Sequence, residues 1–396
     1  MNINLIPKKE DKTTFKKMIS GYVTCDDKSK MSQKSKRTVL SLFTGVGGMD
    51  MGFDGEVIVH RKSIVDPNWI LRDDTVNGFV VLKPHNFETV FQNDILEGAK
   101  EVFGLNGDNS KYNTTSIYSL IDEGYSFPNA DVVIGGFPCQ DFSHAGSRRG
   151  FHSLKSHDLR DTVVNENNSR GTLYKSFVTV VKTVQPKVFV AENVYGLLTM
   201  KSKPIEKIMK DFSEVGYDVQ YQVIYCPEYG IPQTRKRVII MGISKKRQKE
   251  LLKNWNIILK NQTSCSVRHY LEHLTEPSDS IDVSQQAYSK AKRLSKGQGQ
   301  KEINLDGFAP TIRAEHHGNI EFRRHKHSTL NADEHDLPER RLSVREAALI
   351  QTFPPKYVFS RKKNMKAYKY IGNAVPPLLG YLIADKVSEL CDTYFS

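Results

Sequence analysis

Cys139 has the surroundings that say most about chemistry. It stands in Asp131-Val132-Val133-Ile134-Gly135-Gly136-Phe137-Pro138-Cys139-Gln140-Asp141-Phe142-Ser143, an apolar run that breaks into glycines and a proline. Such breaks make a rigid turn after a buried strand, and in an open parallel sheet the carboxyl ends of the strands are where ligands bind. A thiol presented there is a candidate nucleophile, because the thiolate is the reactive form. A free cysteine is more often a small buried hydrophobe. Cys25, Cys226, Cys265 and Cys391 lack this context and are read in that way. Glu192-Asn193 closes another apolar run, Val188 to Ala191. Polar groups that end a buried strand are costly unless paired, which marks them for a purpose; the plain alternative is a helix-capping acid. Gln233-Thr234-Arg235-Lys236-Arg237 leads into Val238 to Ile243. Strand alternation puts Arg235 and Arg237 on one face and Lys236 on the other, a pair suited to a phosphate or carboxylate. The plain alternative is solvated surface charge.

A second set of residues suits a ligand rather than a reaction. Phe43-Thr44-Gly45-Val46-Gly47-Gly48 directly follows the apolar run Thr38 to Leu42. Glycines there let the chain turn tightly and let a ligand approach the backbone. Asp94, followed by Ile95, ends the next run and is placed to accept hydrogen bonds from a ribose. Such an acid normally follows by roughly 20 residues; an intervening segment delays it here.

These residues need strands to carry them and helices to cover the strands. Strands are expected at Thr38 to Phe43, Thr89 to Gln92, Asp131 to Ile134, Val188 to Ala191, Val219 to Tyr225 and Val238 to Ile243. Helices are expected at Leu173 to Val184, Pro204 to Val215, Arg341 to Gln351 and Pro376 to Asp392. Alternation of this kind means an α/β fold with a mostly parallel sheet covered on both faces. Two stretches interrupt it. Residues 54–86 read as a surface insertion. Residues 245–337 are polar, rich in Lys, Arg and His, and lack the βα rhythm. Residues 1–36 read as a flexible basic arm.

Composition limits the classes. The chain has 396 residues, a net charge of +12 and a pI near 9.2. A basic excess suits a polyanion, because Lys and Arg beside phosphates release condensed counterions. No apolar run approaches the ~20 residues of a membrane span, and the polar N-terminus is no secretory signal. The five scattered cysteines form no C-x-x-C pair, so neither a disulfide framework nor a cysteine zinc site is indicated. The His-rich run His316 to His327 has no standard metal spacing.

Taken in order, these pieces resemble the bacterial C5-cytosine DNA methyltransferase family of restriction-modification systems. Phe43 to Gly48 resembles its cofactor loop, and Gly136-Phe137-Pro138-Cys139-Gln140 its nucleophile motif, with Phe137 where Pro is commoner. Arg170-Gly171-Thr172-Leu173, Glu192-Asn193-Val194 and Gln233-x-Arg235-x-Arg237 resemble its next signatures. Arg341 to Pro354 resembles the helix that organises the recognition domain, and Tyr370-Ile371-Gly372-Asn373-Ala374-Val375-Pro376 its closing motif. One departure is Ser116, in Thr115-Ser116-Ile117, where the family usually places an adenine-reading acid. Another is the longer loop from Ser143 to Ser169.

The resemblance implies a Rossmann-like fold dependent on S-adenosylmethionine (AdoMet), with a smaller inserted target-recognition domain. Residues 37–244 would be the catalytic domain, 245–337 the recognition domain, and 338–396 the hinge helix and C-terminal return. The cofactor would be held by Phe43, Gly45, Val46, Gly47, Gly48, Asp94, Ile95, Ser116, Ile117, Pro138, Leu173, Asn373 and Val375. Cys139 would add to C6 of a cytosine flipped out of duplex DNA. Glu192 would bond N3, Asn193 would hold the Glu192 loop, and Arg235 would stabilise the adduct with support from Arg237. The target base must leave the stack, at a cost of a few kcal/mol. Gln140, Ser143, Arg148, Arg149 and Arg170 would belong to the loop that clamps DNA. Arg313, Glu315, His316 and Arg323 would reach base edges, Arg toward guanine and Glu toward cytosine N4. No metal is required. The expected setting is a monomer in a prokaryotic cytoplasm, associated with the nucleoid, beside a cognate restriction endonuclease or alone, with no membrane contact. The alternatives are an RNA cytosine-5 methyltransferase, separated by activity on transfer RNA; a catalytically dead DNA-binding protein; and a cysteine hydrolase, separated by AdoMet binding.

Overall fold

The computed structural model describes residues 35–138, 173–246, 255, 257, 259, 261–290, 299, 301–314, 320–334 and 336–395. Its strands, in chain order, are β1 (Arg37–Leu42), β2 (Ile58–His60), β3 (Ile70–Asp73), β4 (Phe79–Leu82), β5 (Phe87–Asn93), β6 (Tyr112–Asn113), β7 (Val132–Gly135), β8 (Val188–Val194), β9 (Tyr217–Tyr225), β10 (Lys236–Ser244), β11 (Phe322–Arg324) and β12 (Arg340–Arg341). Seven of them form the central sheet, in the order β6-β5-β1-β7-β8-β10-β9. The pairings from β6 across to β8 are parallel, and β10 runs antiparallel to both of its neighbours. This is the α/β, mostly parallel architecture expected from the sequence.

Alternation along each strand explains why both faces are covered. Val39, Val132, Val188 and Ile239 point into one apolar cluster, with the C-terminal helix Pro377–Tyr394 over it. Leu40, Val133, Phe189 and Ile240, one residue further along, point into another with the helices Leu173–Val184 and Pro204–Glu214. Successive side chains of a strand face opposite sides, so a sheet buried on both sides is apolar at every position. The C-terminal helix comes very close to the short helix Asp50–Asp54: a Cβ on Gly52 would lie 2.0 Å from the carbonyl carbon of Gly380. Glycine at that crossing lets the two backbones meet.

Residues 54–86 differ from the surface insertion expected. They supply the antiparallel sheet β2-β4-β3. Val59, Val80 and Leu82 enter the first core cluster, while Ile58, Phe79 and Val81 enter a third. The segment is part of the core because its middle strand, β4, is buried along its whole length. The described part of 245–337 carries little regular structure: the short helix Val267–Leu271, β11 and one turn of 3-10 helix at Ala332–Glu334. Residues Arg37–Ser396 form one compact body. Among the described residues, no helix is long and apolar enough to cross a membrane.

Candidate active site

The glycine loop begins where β1 ends. Phe43 and Gly45 both have φ +55° and Gly47 has φ +77°, so the chain curls through the left-handed region three times. That conformation costs a side-chain-bearing residue such as Phe43 roughly 1–2 kcal/mol, and the surrounding bonds hold it. The Gly45 amide donates to Asp94 Oδ2 at 3.0 Å, and Leu96 N donates to Oδ1 of the same carboxylate at 2.9 Å. Tyr112 donates its hydroxyl to Gly45 O at 2.8 Å, and Tyr357 to Val46 O at 2.7 Å. Burial pushes the Asp94 carboxyl up, with the Leu96 and Gly45 amides pulling it back. A Cβ on Gly48 would lie 2.2 Å from Val375 O, so the closing segment rests directly on the loop.

The surroundings of this loop fit a nucleoside cofactor. A Cβ on Gly45 would meet nothing within 4 Å, so the space beside it is open. Ile95, next to Asp94, leaves 45% of its apolar surface exposed. Asn373 ends the helix Ala367–Asn373 with its side chain exposed. Ser116 is the N-cap of the helix Ile117–Asp122 and makes no side-chain cap bond. Val46 and Ile117 are buried in core clusters, and Leu173 packs against one of them. These three shape the site through packing.

A cluster of polar side chains, Glu192, Asn193 and Arg237, forms where β7, β8 and β10 lie side by side. Cys139 lies outside the described residues, as do Gln140, Ser143, Arg148, Arg149, Arg170, Glu315 and His316. Pro138, directly before Cys139, is the last described residue of its loop. Glu192 is buried near the end of β8. Its Oε1 lies 2.6 Å from Arg237 Nε, and its Oε2 would lie 3.1 Å from a Cβ on Gly136. The carboxylate is therefore fixed between the arginine and the glycine turn that leads to Cys139. Asn193 ties the end of β8 to the turn before Cys139: its Nδ2 donates to Phe137 O at 3.4 Å, and its Oδ1 accepts from Val194 N at 2.8 Å.

The two arginines lie close enough to act on each other but have different partners. Arg237 reaches Glu192, whereas Arg235 is 1% exposed and turned inward. Arg235 donates to Ile312 O at 3.0 Å and to Gly372 O and Ala374 O at 3.1 Å each. Regular β10 begins at Lys236, and just before it the Arg235 amide closes a tight turn onto Gln233 O. Gln233 and Gln351, both fully buried, complete the same inward network. The sequence reading gave neither glutamine a role, although Gln233 stands in the same quoted motif.

The DNA-reading expectations fare differently. Arg313 is part-buried, with its guanidinium 3.7 Å from Glu321. Arg323 is buried in β11, and its guanidinium is committed to Glu334, so it is not free to reach a base edge. It belongs to an internal charge network. Arg340 makes two 2.8 Å bonds to Glu346 and two of 3.1 Å to Glu276, and Arg324 also pairs with Glu276.

Comparison with known proteins agrees with this geometry. The family model described as C-5 cytosine-specific DNA methylase matches residues 37–389. The Type II methyltransferase M.BspRI of Lysinibacillus sphaericus is 30% identical, covering 91% of this chain and 84% of the relative. M.BsuRI of Bacillus subtilis, also a Type II methyltransferase, is 28% identical over 95% of this chain and 86% of its own. Among solved structures, the Entamoeba histolytica methyltransferase EhMeth superposes with a TM-score of 0.57 at 16% identity, covering 91% of this chain and 99% of that one. The S. pombe Dnmt2 methyltransferase gives 0.55 at 16% identity, over 89% and 99%. At such identities these neighbours speak to the fold.

Proposed function

The chain belongs to the C-5 cytosine-specific DNA methylase family and is by that membership a DNA (cytosine-5)-methyltransferase, and from that premise we propose that it flips a cytosine out of a specific duplex sequence and methylates it through a covalent adduct on Cys139. The observation that carries this reading is the Glu192 carboxylate, held 2.6 Å from Arg237 and packed against Gly136 in the turn before Cys139. In the reaction, the Cys139 thiolate forms a bond to C6, and the displaced ring electrons collect at C5 and toward N3. Glu192, carrying a proton, donates it to N3 and so neutralises the negative charge that develops there, taking the proton back when the adduct collapses. Arg237 holds Glu192 in place and adds positive potential to the same edge. Asn193 keeps the strand end tied to the Cys139 loop through Phe137 O. Phe43 to Gly48, Asp94, Ile95, Ser116, Pro138, Asn373 and Val375 would hold AdoMet, which would supply the methyl group to C5 and depart as S-adenosylhomocysteine. A water then takes the C5 proton, the electrons of that C–H bond restore the C5–C6 double bond, and the sulfur–C6 bond breaks to return the Cys139 thiolate.

The reacting carbons are inaccessible in stacked duplex DNA, so the base must swing into the pocket. Gln140, Ser143, Arg148, Arg149 and Arg170 are assigned to the clamping loop, and Arg313, Glu315 and His316 to base or backbone contacts. The curated relatives are Type II methyltransferases, which supports a place beside a restriction endonuclease of the same specificity. The test is a denaturing gel of the protein with AdoMet and duplex carrying 5-fluorocytosine. Fluorine cannot leave as a proton does, so a covalent band is expected with the wild type and none with Cys139→Ser. A band of equal strength from Cys139→Ser would remove Cys139 as nucleophile.

A further inference from the structure

Three side chains buried beneath the active site stitch together segments that are far apart in the chain. Gln233 Nε2 donates to Ile350 O at 3.0 Å and to Gln351 Oε1 at 2.5 Å, and its own Oε1 accepts from Ile312 N at 3.2 Å. Gln351 Nε2 donates to Ile371 O at 3.0 Å and to Ala374 O at 2.6 Å. Arg235 spans the same gap, with one terminal nitrogen on Ile312 O and the other on Gly372 O and Ala374 O. None of the three is more than 1% exposed.

The segments they join lead to different ligands. Ala374 O directly precedes Val375, whose carbonyl rests on Gly48 of the cofactor loop. Ile312 directly precedes Arg313, which opens the stretch assigned to DNA contacts. The two segments also touch: a Cβ on Gly372 would lie 2.1 Å from the Arg313 carbonyl carbon. The Arg235 fork is rigid and planar, so it satisfies carbonyls on both sides only at one relative placement. A shift of either segment would leave buried polar groups unpaired, which is costly away from water.

We propose that Arg235, with Gln233 and Gln351, is a positioning residue that couples the cofactor turn to the DNA-contact segment, so that duplex seated at Arg313 tightens the hold of Asn373 and Val375 on the cofactor. The inference rests on the reading of this site as an AdoMet and duplex DNA site. Arg235 acts through backbone carbonyls and need not touch either ligand. Because the coupling is a free energy shared between sites, it is reciprocal: bound cofactor tightens DNA by the same factor.

The test measures S-adenosylhomocysteine, the demethylated cofactor, binding to the full chain with and without an unmethylated duplex carrying the site mapped by 5-fluorocytosine trapping. The wild type should bind at least about 5-fold tighter with the duplex present, the lower end of usual couplings. In Arg235→Lys, which keeps the charge and loses the fork, the ratio should fall toward one. Gln351→Met, which removes the bonds to Ile371 and Ala374 without touching a charge, should do the same. Both variants are checked for a cooperative thermal transition, and if Arg235→Lys does not fold, Gln351→Met decides. A purely structural role would weaken binding equally in both conditions and leave the ratio at the wild-type value, which overturns the proposal. A wild type that traps 5-fluorocytosine duplex but shows a ratio of one overturns the coupling alone. A wild type that neither traps duplex nor binds S-adenosylhomocysteine overturns the functional reading and this inference with it.

Discussion

Gly45 and Gly48 stand in one loop, yet alanine should break different things at the two positions. At Gly45 the added methyl meets nothing within 4 Å, so the only folding cost is the left-handed φ of +55°, roughly 1–2 kcal/mol for a residue with a Cβ. That methyl occupies the open space assigned to the cofactor. Gly45→Ala should therefore melt within a few degrees of wild type and bind AdoMet at least about tenfold more weakly, a loss of ~1.4 kcal/mol. At Gly48 the methyl would lie 2.2 Å from Val375 O, a backbone atom that cannot rotate away. Gly48→Ala should lose about 1–3 kcal/mol of stability or more, as overpacking does, together with AdoMet binding. Thermal melts and cofactor titrations on the two variants check this. If Gly45→Ala bound AdoMet normally, the cofactor would not lie over that glycine.

The helix Val344–Ile350 shows what an element can owe to one charged pair. Ser343 caps it, with Oγ accepting from Glu346 N at 3.0 Å while Glu346 Oε2 accepts from Ser343 N at 2.7 Å. Burial pushes the Glu346 carboxyl up, but the Arg340 guanidinium beside it outweighs that and holds it at about 2. The folded value lies below the ordinary 4.5, so the pair's stabilisation is fully present above pH 4.5 and is lost as pH falls toward 2. Chemical denaturation across this window should show wild-type stability falling more steeply with acid than that of Glu346→Gln. Parallel slopes would mean that Glu346 is not held low. The S-x-x-E spacing of the box is legible in sequence; its buried partner Arg340, which also pairs with the part-exposed Glu276, is not, since nothing local brings residues 276, 340 and 346 together. The same limit explains the other differences. Strands β1, β7, β8 and β10 were readable because runs buried on both faces are mostly apolar, whereas β5 and β9, only partly buried, were readable from their β-branched and aromatic residues. The sheet β2-β4-β3 was not, because its strands are short, β3 is itself polar at Arg72 and Asp73, and a turn from Asp74 to Gly78 interrupts it. Glu192 and Asn193 were readable as polar residues ending a buried strand. The separate partners of Arg235 and Arg237 were not, because Ile312, Gly372 and Ala374 reach Arg235 from distant parts of the chain.

At the scale of the whole molecule, the net charge of +12 is the feature least tied to any one residue. Part of the positive charge is already paired inside the fold: Arg323, Arg324 and Arg340 are buried on Glu276, Glu334 and Glu346. The attraction for DNA must therefore come from the remaining Lys and Arg, and it should be mostly insensitive to sequence, because phosphates are the same everywhere. Each phosphate neutralised contributes a slope of about −0.9 in log K against log salt on duplex DNA. Two duplexes of equal length, with and without the methylated site, should then give steep, nearly parallel salt dependences with different intercepts. The common slope counts phosphate contacts, and the offset, typically about 4–10 kcal/mol in specific binders, measures base reading and base flipping. Gel-shift titrations over a range of salt would decide it. A flat salt dependence on the target duplex would mean that the surplus charge serves solubility and that recognition rests on uncharged contacts.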